Sequence, residues 1–215
     1  MNSQSEAGRH EFQVAATRDA YIGRVVTLRV DDVVMPGGAT GVREVVEHPG
    51  AVAIVALDEA DRVAMIHQYR HPVGRRLWEL PAGLLDMPGE SPLPAAQREL
   101  AEETGLAARE WSVLVDVTPT PGFSDESIRV YLATGLSEVD REVHHGSEEA
   151  DLVLERIDLS EAVRRALAGE IVNASAVAGL LAAQAVRSGA ADARPVDAPW
   201  PDRPTRWAAR QSGKK

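Results

Sequence analysis

Residues 83–106 read GLLDMPGESPLPAAQRELAEETGL, and this stretch decides how the rest of the chain is interpreted. Within it, Glu99, Glu102 and Glu103 stand at positions i, i+3 and i+4, which share one face of an α-helix. Carboxylates packed this closely repel one another at neutral pH. Hard oxygen ligands of this kind are what Mg²⁺ or Mn²⁺ prefers, and a bound cation would turn the repulsion into attraction. The pattern therefore indicates a metal-binding helix.

The same glutamates are also compatible with an ordinary solvated acidic face, which is the commoner meaning of a charge run. Three features favour the metal interpretation. Ser91 followed by Pro92 predicts the first residues of a helix, and Gly105 predicts its end. The third feature is a regular spacing of residues upstream of the glutamates.

That spacing resembles the Nudix box, which has the form Gly, Glu, seven residues, then Arg-Glu-aliphatic-x-Glu-Glu-x-Gly-aliphatic. The match is complete from Glu90 through Arg98 to Leu106. Six residues separate Gly83 from Glu90, where the family pattern has five. The additional residue falls in the loop before the helix, so it leaves the helical carboxylates in register. The fold that this resemblance implies is an α/β/α sandwich.

The resemblance also implies roles for the residues of the box. Metal ligands would be the carboxylates of Glu99, Glu102 and Glu103 and the backbone carbonyl of Ala82, and the cofactor would be Mg²⁺ or Mn²⁺. Glu90 and Arg98 would orient the loop and the metal-binding carboxylates without binding the metal themselves. An ordinary surface ion pair is the alternative for Arg98.

The general base is expected outside the helix, because carboxylates bound to metal are poor bases. An acidic loop spans residues 147–151, and family members that cleave ADP-ribose carry a base on such a loop. By its position before the next strand, Glu148 is the first candidate and Glu149 the second. A loop that closes onto the substrate suits this role, although each glutamate is also compatible with a solvated loop.

Substrate contacts are likewise implied by resemblance to the ADP-ribose pyrophosphatase subgroup. Arg70 corresponds to an arginine that contacts phosphate, and a guanidinium fork suits phosphate oxygens. Arg43 and Glu44 match a pair that holds the adenosine moiety. Thr120 lies in a proline- and glycine-rich loop, residues 118–123, which resembles a substrate loop of the subgroup. All four residues are also compatible with exposed strand or loop positions.

Composition excludes several classes of protein. The chain has 215 residues, 44% of them hydrophobic, which is typical of a globular protein. Its net charge of −10 argues against a general nucleic-acid binder. There is no apolar run long enough to span a membrane, no hydrophobic signal-peptide region at residues 1–12 and no cysteine. We therefore expect a cytoplasmic protein without membrane or nucleic-acid partners.

The order of elements predicts an α+β fold, a mixed β-sheet with helices, in three segments. Residues 11–46 contain β-like runs at 12–15, 23–30 and 42–46, which predict a small N-terminal antiparallel sheet. Such a sheet is too small to bury a core by itself, so it should pack on the main domain or on another subunit. Resemblance to the ADP-ribose pyrophosphatase subgroup implies that it is exchanged across a homodimer. Residues 47–189 would form the catalytic domain, and residues 190–215, with four prolines, a mostly disordered tail.

These observations lead to one main hypothesis and two alternatives. The main hypothesis is a metal-dependent hydrolase that cleaves the pyrophosphate of ADP-ribose to AMP and ribose 5-phosphate. Another nucleoside-diphosphate sugar, such as GDP-mannose, is an alternative substrate for the same helix. A non-catalytic Nudix module that senses a nucleotide is an alternative of a different class, and such a module is expected to lose carboxylates that this chain retains.

Overall fold

The structure is a computed structural model, and it describes residues 8–141 and 151–212. The described residues form two compact units. The N-terminal unit contains the residues up to Pro49, the segment Thr120–Glu126 and the residues from Pro204 onward. The core unit contains Gly50–Pro119 and the described part of Ser127–Arg203. The loop at 120–126 thus belongs with the N-terminal segment, which a linear division of the chain at residue 46 did not anticipate.

The N-terminal unit contains a three-stranded antiparallel sheet in the order β1-β2-β3, as expected from the sequence. The strands are β1 (Val14–Ile22), β2 (Thr27–Val34) and β3 (Thr40–Glu47). The second strand continues beyond the predicted run at 23–30 through two aspartates. It does so because Asp31 is neutralised there, accepting hydrogen bonds from Arg29 Nε and from the Thr17 hydroxyl, both at 2.8 Å.

The remaining strands belong to the core unit. They are β4 (Ala51–Ala56), β5 (Arg62–Arg70), β6 (Arg75–Glu79), β7 (Ala82–Leu84), β8 (Leu106–Val117), β9 (Ile128–Glu138) and β10 (Val153–Asp158). The helices are α1 (Pro92–Thr104), α2 (Leu159–Leu167), α3 (Ala174–Arg187) and α4 (Arg206–Ser212), of which α4 lies in the N-terminal unit. One sheet has the order β7-β4-β9-β8, with β4 and β9 parallel, and a second has the order β10-β5-β6.

Strand β4 is buried on both faces, which explains its continuous apolar run, since alternate side chains point to opposite faces of a strand. Val52 and Ile54 pack in one hydrophobic cluster with Leu100 of α1. Ala53 and Val55 pack in another cluster, which contains residues of α2 and α3. Helices therefore cover both faces of this sheet, and the predicted α/β/α sandwich is confirmed.

A network of buried charges joins the last helix to the N-terminal sheet. Glu47, at the end of β3, has no solvent exposure. Its carboxylate accepts hydrogen bonds from Arg29 Nη1 at 2.7 Å and from Arg210 of α4, whose Nη2 lies 3.2 Å from Glu47 Oε1. Arg210 also binds Asp19 of β1 through two hydrogen bonds, at 2.7 and 2.9 Å. Each charge in this network is met by an opposite one, as buried charges require.

The C-terminal segment differs from the prediction of a mostly disordered tail. Arg194 exchanges two backbone hydrogen bonds with Val113 of β8, at 2.8 and 2.9 Å. The guanidinium of Arg129 donates to the carbonyls of Ala198 and Pro199 and lies 4.9 Å from the ring centre of Trp200. The prolines and scattered charges of this segment show no periodicity that would predict a helix or a strand. Its conformation is held instead by contacts with strands that are distant in sequence.

We expect Trp200→Ala to lower the melting temperature by about 4–8 °C, equivalent to about 2 kcal/mol. The change removes the cation–π contact with Arg129 and the hydrogen bond from the Trp200 indole to Ser127 Oγ at 2.9 Å. Differential scanning calorimetry measures the effect. Leu167→Ala is the control, because Leu167 is 74% exposed and should leave the melting temperature unchanged. Equal melting temperatures for the Trp200 variant and the parent protein would contradict this packing.

Among the helices in the described residues, none is both long enough and apolar enough to cross a lipid bilayer.

Candidate active site

Helix α1 begins and ends where the sequence predicts. Pro92 occupies its first turn, and Gly105 ends it in the left-handed conformation with φ of 66°. Ser91 stands at the N-cap in an extended conformation, but its side chain makes no capping hydrogen bond. Ala96 and Leu100, which are fully buried, anchor one face of the helix in the core. This anchoring fixes the position of the carboxylates along the rest of the helix.

Arg98 is the centre of the carboxylate cluster. Its guanidinium binds Glu90 through two hydrogen bonds of 3.0 Å and also donates to Glu99 at 2.7 Å and to Glu102 at 2.9 Å. The hydrogen bonds to Glu90, together with the negative charge of Glu99, hold the pKa of Arg98 well above its ordinary value. One side chain thus orients three carboxylates, which is more than the isolated surface ion pair considered as the alternative.

Glu103 connects the helix to strand β7. Its side chain is buried, with the residue only 7% exposed, and its Oε2 accepts a hydrogen bond of 2.9 Å from the backbone N–H of Ala82. Ala82 also pairs with Ala53 of the buried strand β4. The structure therefore brings together two of the predicted metal ligands, the Glu103 carboxylate and the backbone of Ala82.

Gly83 lies flush against Glu99. A Cβ atom at Gly83 would fall 2.0 Å from both Cδ and Oε1 of Glu99, far inside van der Waals contact. Glycine is required here by this close approach and not by backbone conformation, because its φ is not in the left-handed region. The first residue of the predicted box therefore makes room for one of its carboxylates.

The donor chemistry of this cluster fits a divalent cation. Glu99 and Glu102 already share one positive group, the guanidinium of Arg98, and carboxylate oxygens are the ligands of choice for Mg²⁺ and Mn²⁺. Among the described residues, no group of three or more acidic or histidine side chains is already arranged so that it could hold a metal ion.

Arg70 lies in the core unit and is paired. Its Nε donates to both carboxylate oxygens of Glu79, at 3.0 and 3.2 Å, and its Nη2 lies 2.6 Å from Glu79 Oε2. The side chain of Arg70 is 39% exposed, whereas that of Glu79 is 3% exposed. The candidate phosphate-binding arginine is thus a partly exposed cation attached to a buried anion.

The other predicted substrate contacts lie in the N-terminal unit. Arg43 and Glu44 are exposed residues of β3, and Arg43 donates to the carbonyl of Val42 at 2.8 Å. The loop that carries Thr120 lies beside the end of the same strand, where the Val46 N–H donates to the carbonyl of Phe123 at 2.8 Å. The structure brings the three predicted contacts into one unit.

The two candidate bases, Glu148 and Glu149, lie outside the described residues. Asp151, just after them in the chain, forms an ion pair with Arg76 of β6, which also donates to the Asp151 carbonyl at 3.1 Å.

A family model described as the NUDIX domain matches residues 47–178. This chain belongs to the Nudix family. An ADP-ribose pyrophosphatase from Mycobacterium tuberculosis (strain ATCC 25618 / H37Rv) is 56% identical over 204 residues, covering 94% of this chain and 98% of that protein. A methanol dehydrogenase activator from Bacillus methanolicus is 42% identical over 155 residues, covering 72% and 82%.

A solved structure shows the same Nudix fold. The crystal structure of an ADP compounds hydrolase matches with a TM-score of 0.72 at 23% identity, covering 84% of this chain and 96% of that chain. At this identity the similarity shows the fold alone.

Sequence reasoning missed two residues near the Nudix box. Glu79 is buried and binds Arg70, and Gln68 donates to Glu79 Oε2 at 3.2 Å. The available signal was a glutamate inside the apolar run Leu77–Leu80, since a charged residue within a buried strand requires a partner.

Proposed function

We propose that this Nudix protein hydrolyses the pyrophosphate of ADP-ribose to AMP and ribose 5-phosphate. The observation that carries the proposal is the carboxylate cluster formed by Glu90 and the glutamates of α1, in a chain related over nearly its full length to an ADP-ribose pyrophosphatase. Retention of every box carboxylate favours an enzyme over a module that only senses nucleotides.

The carboxylates of Glu99, Glu102 and Glu103 and the carbonyl of Ala82 would hold the divalent cation, with Mg²⁺ as the expected ion and Mn²⁺ as a substitute. When bound, it supplies positive charge to the pyrophosphate and lowers the pKa of water. Arg98 limits the repulsion among the carboxylates before substrate binds. Burial of Glu103 and its hydrogen bond to Ala82 fix the distance between helix and strand.

The reaction itself needs a base. Water attacks one phosphorus atom, its oxygen forms the new P–O bond and the bond from that phosphorus to the bridging oxygen breaks. We assign removal of the water proton to Glu148, with Glu149 as second choice. A carboxylate that does not belong to the metal-binding helix keeps its oxygens available for the proton.

Binding of the substrate requires contacts to both ends of the diphosphate. Arg70 is assigned to the phosphate oxygens, because a guanidinium presents several N–H donors in a fixed plane. Arg43 and Glu44 are assigned to binding of the adenosine moiety. Thr120, in the loop at 118–123, is assigned as a further substrate-binding residue. The location of these three residues in one unit supports a shared role.

The N-terminal sheet is proposed to complete the adenine pocket of a partner chain in a homodimer. All nine residues of β1 are exposed in the single chain, including Tyr21 at 64% and Ile22 at 51%. Exposed apolar side chains on an edge strand favour pairing with another chain. Sedimentation equilibrium at micromolar concentration tests this proposal, and a monomer would contradict it.

A substrate panel tests the proposed function. Initial rates in Mg²⁺ are measured for ADP-ribose, GDP-mannose and diadenosine polyphosphates, and products are separated by ion-exchange chromatography. ADP-ribose is expected to have the highest kcat/KM and to yield AMP and ribose 5-phosphate. A higher kcat/KM for GDP-mannose would replace the substrate assignment, and no turnover of any compound would favour the sensing module.

We expect Glu148→Gln to lower kcat for ADP-ribose about a hundredfold, because the amide cannot accept the water proton. Glu149→Gln is the matched control and should lower kcat less than about threefold. Raising the pH should partly restore the Glu148 variant, since hydroxide needs no base. The opposite ranking of the two variants would assign the base to Glu149.

A further inference from the structure

The contact between Arg70 and Glu79 has the geometry of a fixed support. Both carboxylate oxygens of Glu79 engage one edge of the guanidinium, formed by Nε and Nη2, at distances of 2.6 to 3.2 Å. The three remaining N–H bonds of the Arg70 guanidinium point away from Glu79, because the group is planar and rigid. The direction of those donors is therefore set by the carboxylate.

Glu79 is itself held in place. Its side chain is buried, and Gln68 Nε2 donates to Oε2 at 3.2 Å from the neighbouring strand β5. Ile66 of β5 lies directly opposite Glu79 in the antiparallel ladder. Backbone pairing and a second hydrogen bond thus fix the anion, and the anion fixes the arginine.

A short segment connects this support to the carboxylate cluster. Glu79 ends β6, and Ala82, three residues later, donates its N–H to Glu103 of α1. Pro81 restricts the backbone of the connection, and its carbonyl accepts a hydrogen bond of 2.9 Å from Ile54 N–H in the buried strand β4. The segment 79–82 thus links Arg70 at one end to Glu103 at the other. Hydrogen bonds hold this segment at Glu79, at the Pro81 carbonyl and at the Ala82 N–H.

Stability alone is a weak explanation for the pair. Burying a carboxylate has a desolvation cost that its attraction to a partner often only offsets, and an apolar pair of similar size is frequently as stable. Orientation of the Arg70 guanidinium is the better explanation. An arginine that contacts phosphate must point its donors in one direction, and the enzyme becomes slower when a half-exposed guanidinium can turn freely. Misplacement of a contact by about 1 Å can lower the rate about a hundredfold.

We propose that Glu79 is a positioning residue for catalysis: it holds the Arg70 guanidinium so that its remaining N–H donors meet the pyrophosphate at a fixed distance from the carboxylates of α1. This inference rests on the proposed function, because it requires a diphosphate substrate. Glu79 itself touches Arg70 and not the substrate.

Glu79→Gln tests the proposal. The amide keeps the size of the side chain but has only one acceptor oxygen, so the two-oxygen fork is lost. We expect kcat/KM to fall about 10- to 100-fold, as for other residues that orient a functional group. Affinity for Mn²⁺, measured by electron paramagnetic resonance without substrate, should change less than about twofold. General distortion of the site would lower Mn²⁺ affinity as well, and that result would overturn the proposal.

The matched control is Asp58→Asn, which weakens another pair of a buried carboxylate and an arginine in the same unit. Asp58 is also buried, with a side chain 5% exposed, and it binds a half-exposed arginine, Arg62, at 2.8 Å. Asp58→Asn should change kcat/KM less than about threefold even where its melting temperature falls as far as that of Glu79→Gln. Equal losses of activity in the two variants would overturn the proposal.

A double-mutant cycle assigns the effect to Arg70. In the background of Arg70→Ala, the further change Glu79→Gln should lower kcat/KM less than about threefold, because there is no guanidinium left to orient. A full additional loss would show that Glu79 acts by another route and would overturn the inference.

The cycle is run on whichever diphosphate the unmodified protein cleaves fastest. A different best substrate would therefore reject ADP-ribose without affecting this test. Normal ADP-ribose hydrolysis with an unaffected Glu79→Gln variant would reject the positioning role alone.

Discussion

Replacing Glu103 by Gln is expected to lower kcat for ADP-ribose in Mg²⁺ about a thousandfold, the largest effect expected of any single change. The amide oxygen can still accept the hydrogen bond that Ala82 N–H now donates to Glu103 at 2.9 Å. Packing is therefore retained, and the change removes only the negative charge and one metal-binding oxygen. The loss of activity should be accompanied by weaker binding of Mn²⁺ in the absence of substrate.

Steady-state kinetics over a range of Mg²⁺ concentrations and electron paramagnetic resonance of Mn²⁺ measure the two effects separately. Glu161→Gln is the matched control, since Glu161 is also a helical glutamate that binds arginines, Arg164 and Arg165, at 2.7 and 2.9 Å. It should retain full activity. A Glu103→Gln variant with kcat within about threefold of the parent would reject metal catalysis at this helix.

Gly83→Ala is expected to lower kcat about 100- to 1,000-fold with little loss of stability. The added methyl group overlaps Glu99, whose Cδ and Oε1 lie 2.0 Å from the position of the new Cβ. Cγ of Glu99 also lies 2.4 Å from that position, so the glutamate must turn aside from Cγ outward. A flexible side chain can make this turn without unfolding the protein, so the fold should survive. The displaced carboxylate then no longer occupies the position from which it would bind metal.

Gly89→Ala provides the opposite pattern and serves as the control. Gly89 has φ of 81°, and no atom lies within 4 Å of the position that a Cβ would take, so alanine there strains the backbone without touching the carboxylates. We expect a loss of about 1 kcal/mol in the free energy of unfolding and activity within about threefold of the parent. Urea unfolding and kinetics on both variants measure the contrast. Equal activities of the two variants would contradict the role of Gly83.

The parts of this structure that were predictable from sequence are those set by local signals. Pro92 and Gly105 mark the ends of α1 within the chain itself, and the spacing from Arg98 to Glu103 fixes the helical face without knowledge of the fold. The strand beginning at Ala51 was predictable for a similar reason, because both of its faces are apolar.

The parts that were missed depend on contacts between distant residues. The tail is ordered by Arg129, which contacts Ala198 and Pro199 some 70 residues away in sequence. Glu79 acquires its partner from the pairing of β5 with β6, and a register shifted by one residue would turn its side chain to the opposite face. The contacts of the tail leave no trace in local composition or periodicity, whereas the glutamate within Leu77–Leu80 indicates that a partner is needed but not which residue it is.

The link between Glu47 and Arg210 has a consequence for synthesis of the protein. The two residues are 163 positions apart, and Glu47 has no exposure to solvent once folded. A ribosome therefore releases the first three strands long before one partner of that buried carboxylate has been made. Until α4 emerges, the Glu47 carboxylate is paired with Arg29 but not yet with Arg210. The N-terminal sheet is therefore expected to be the last part of the nascent chain to become resistant to protease.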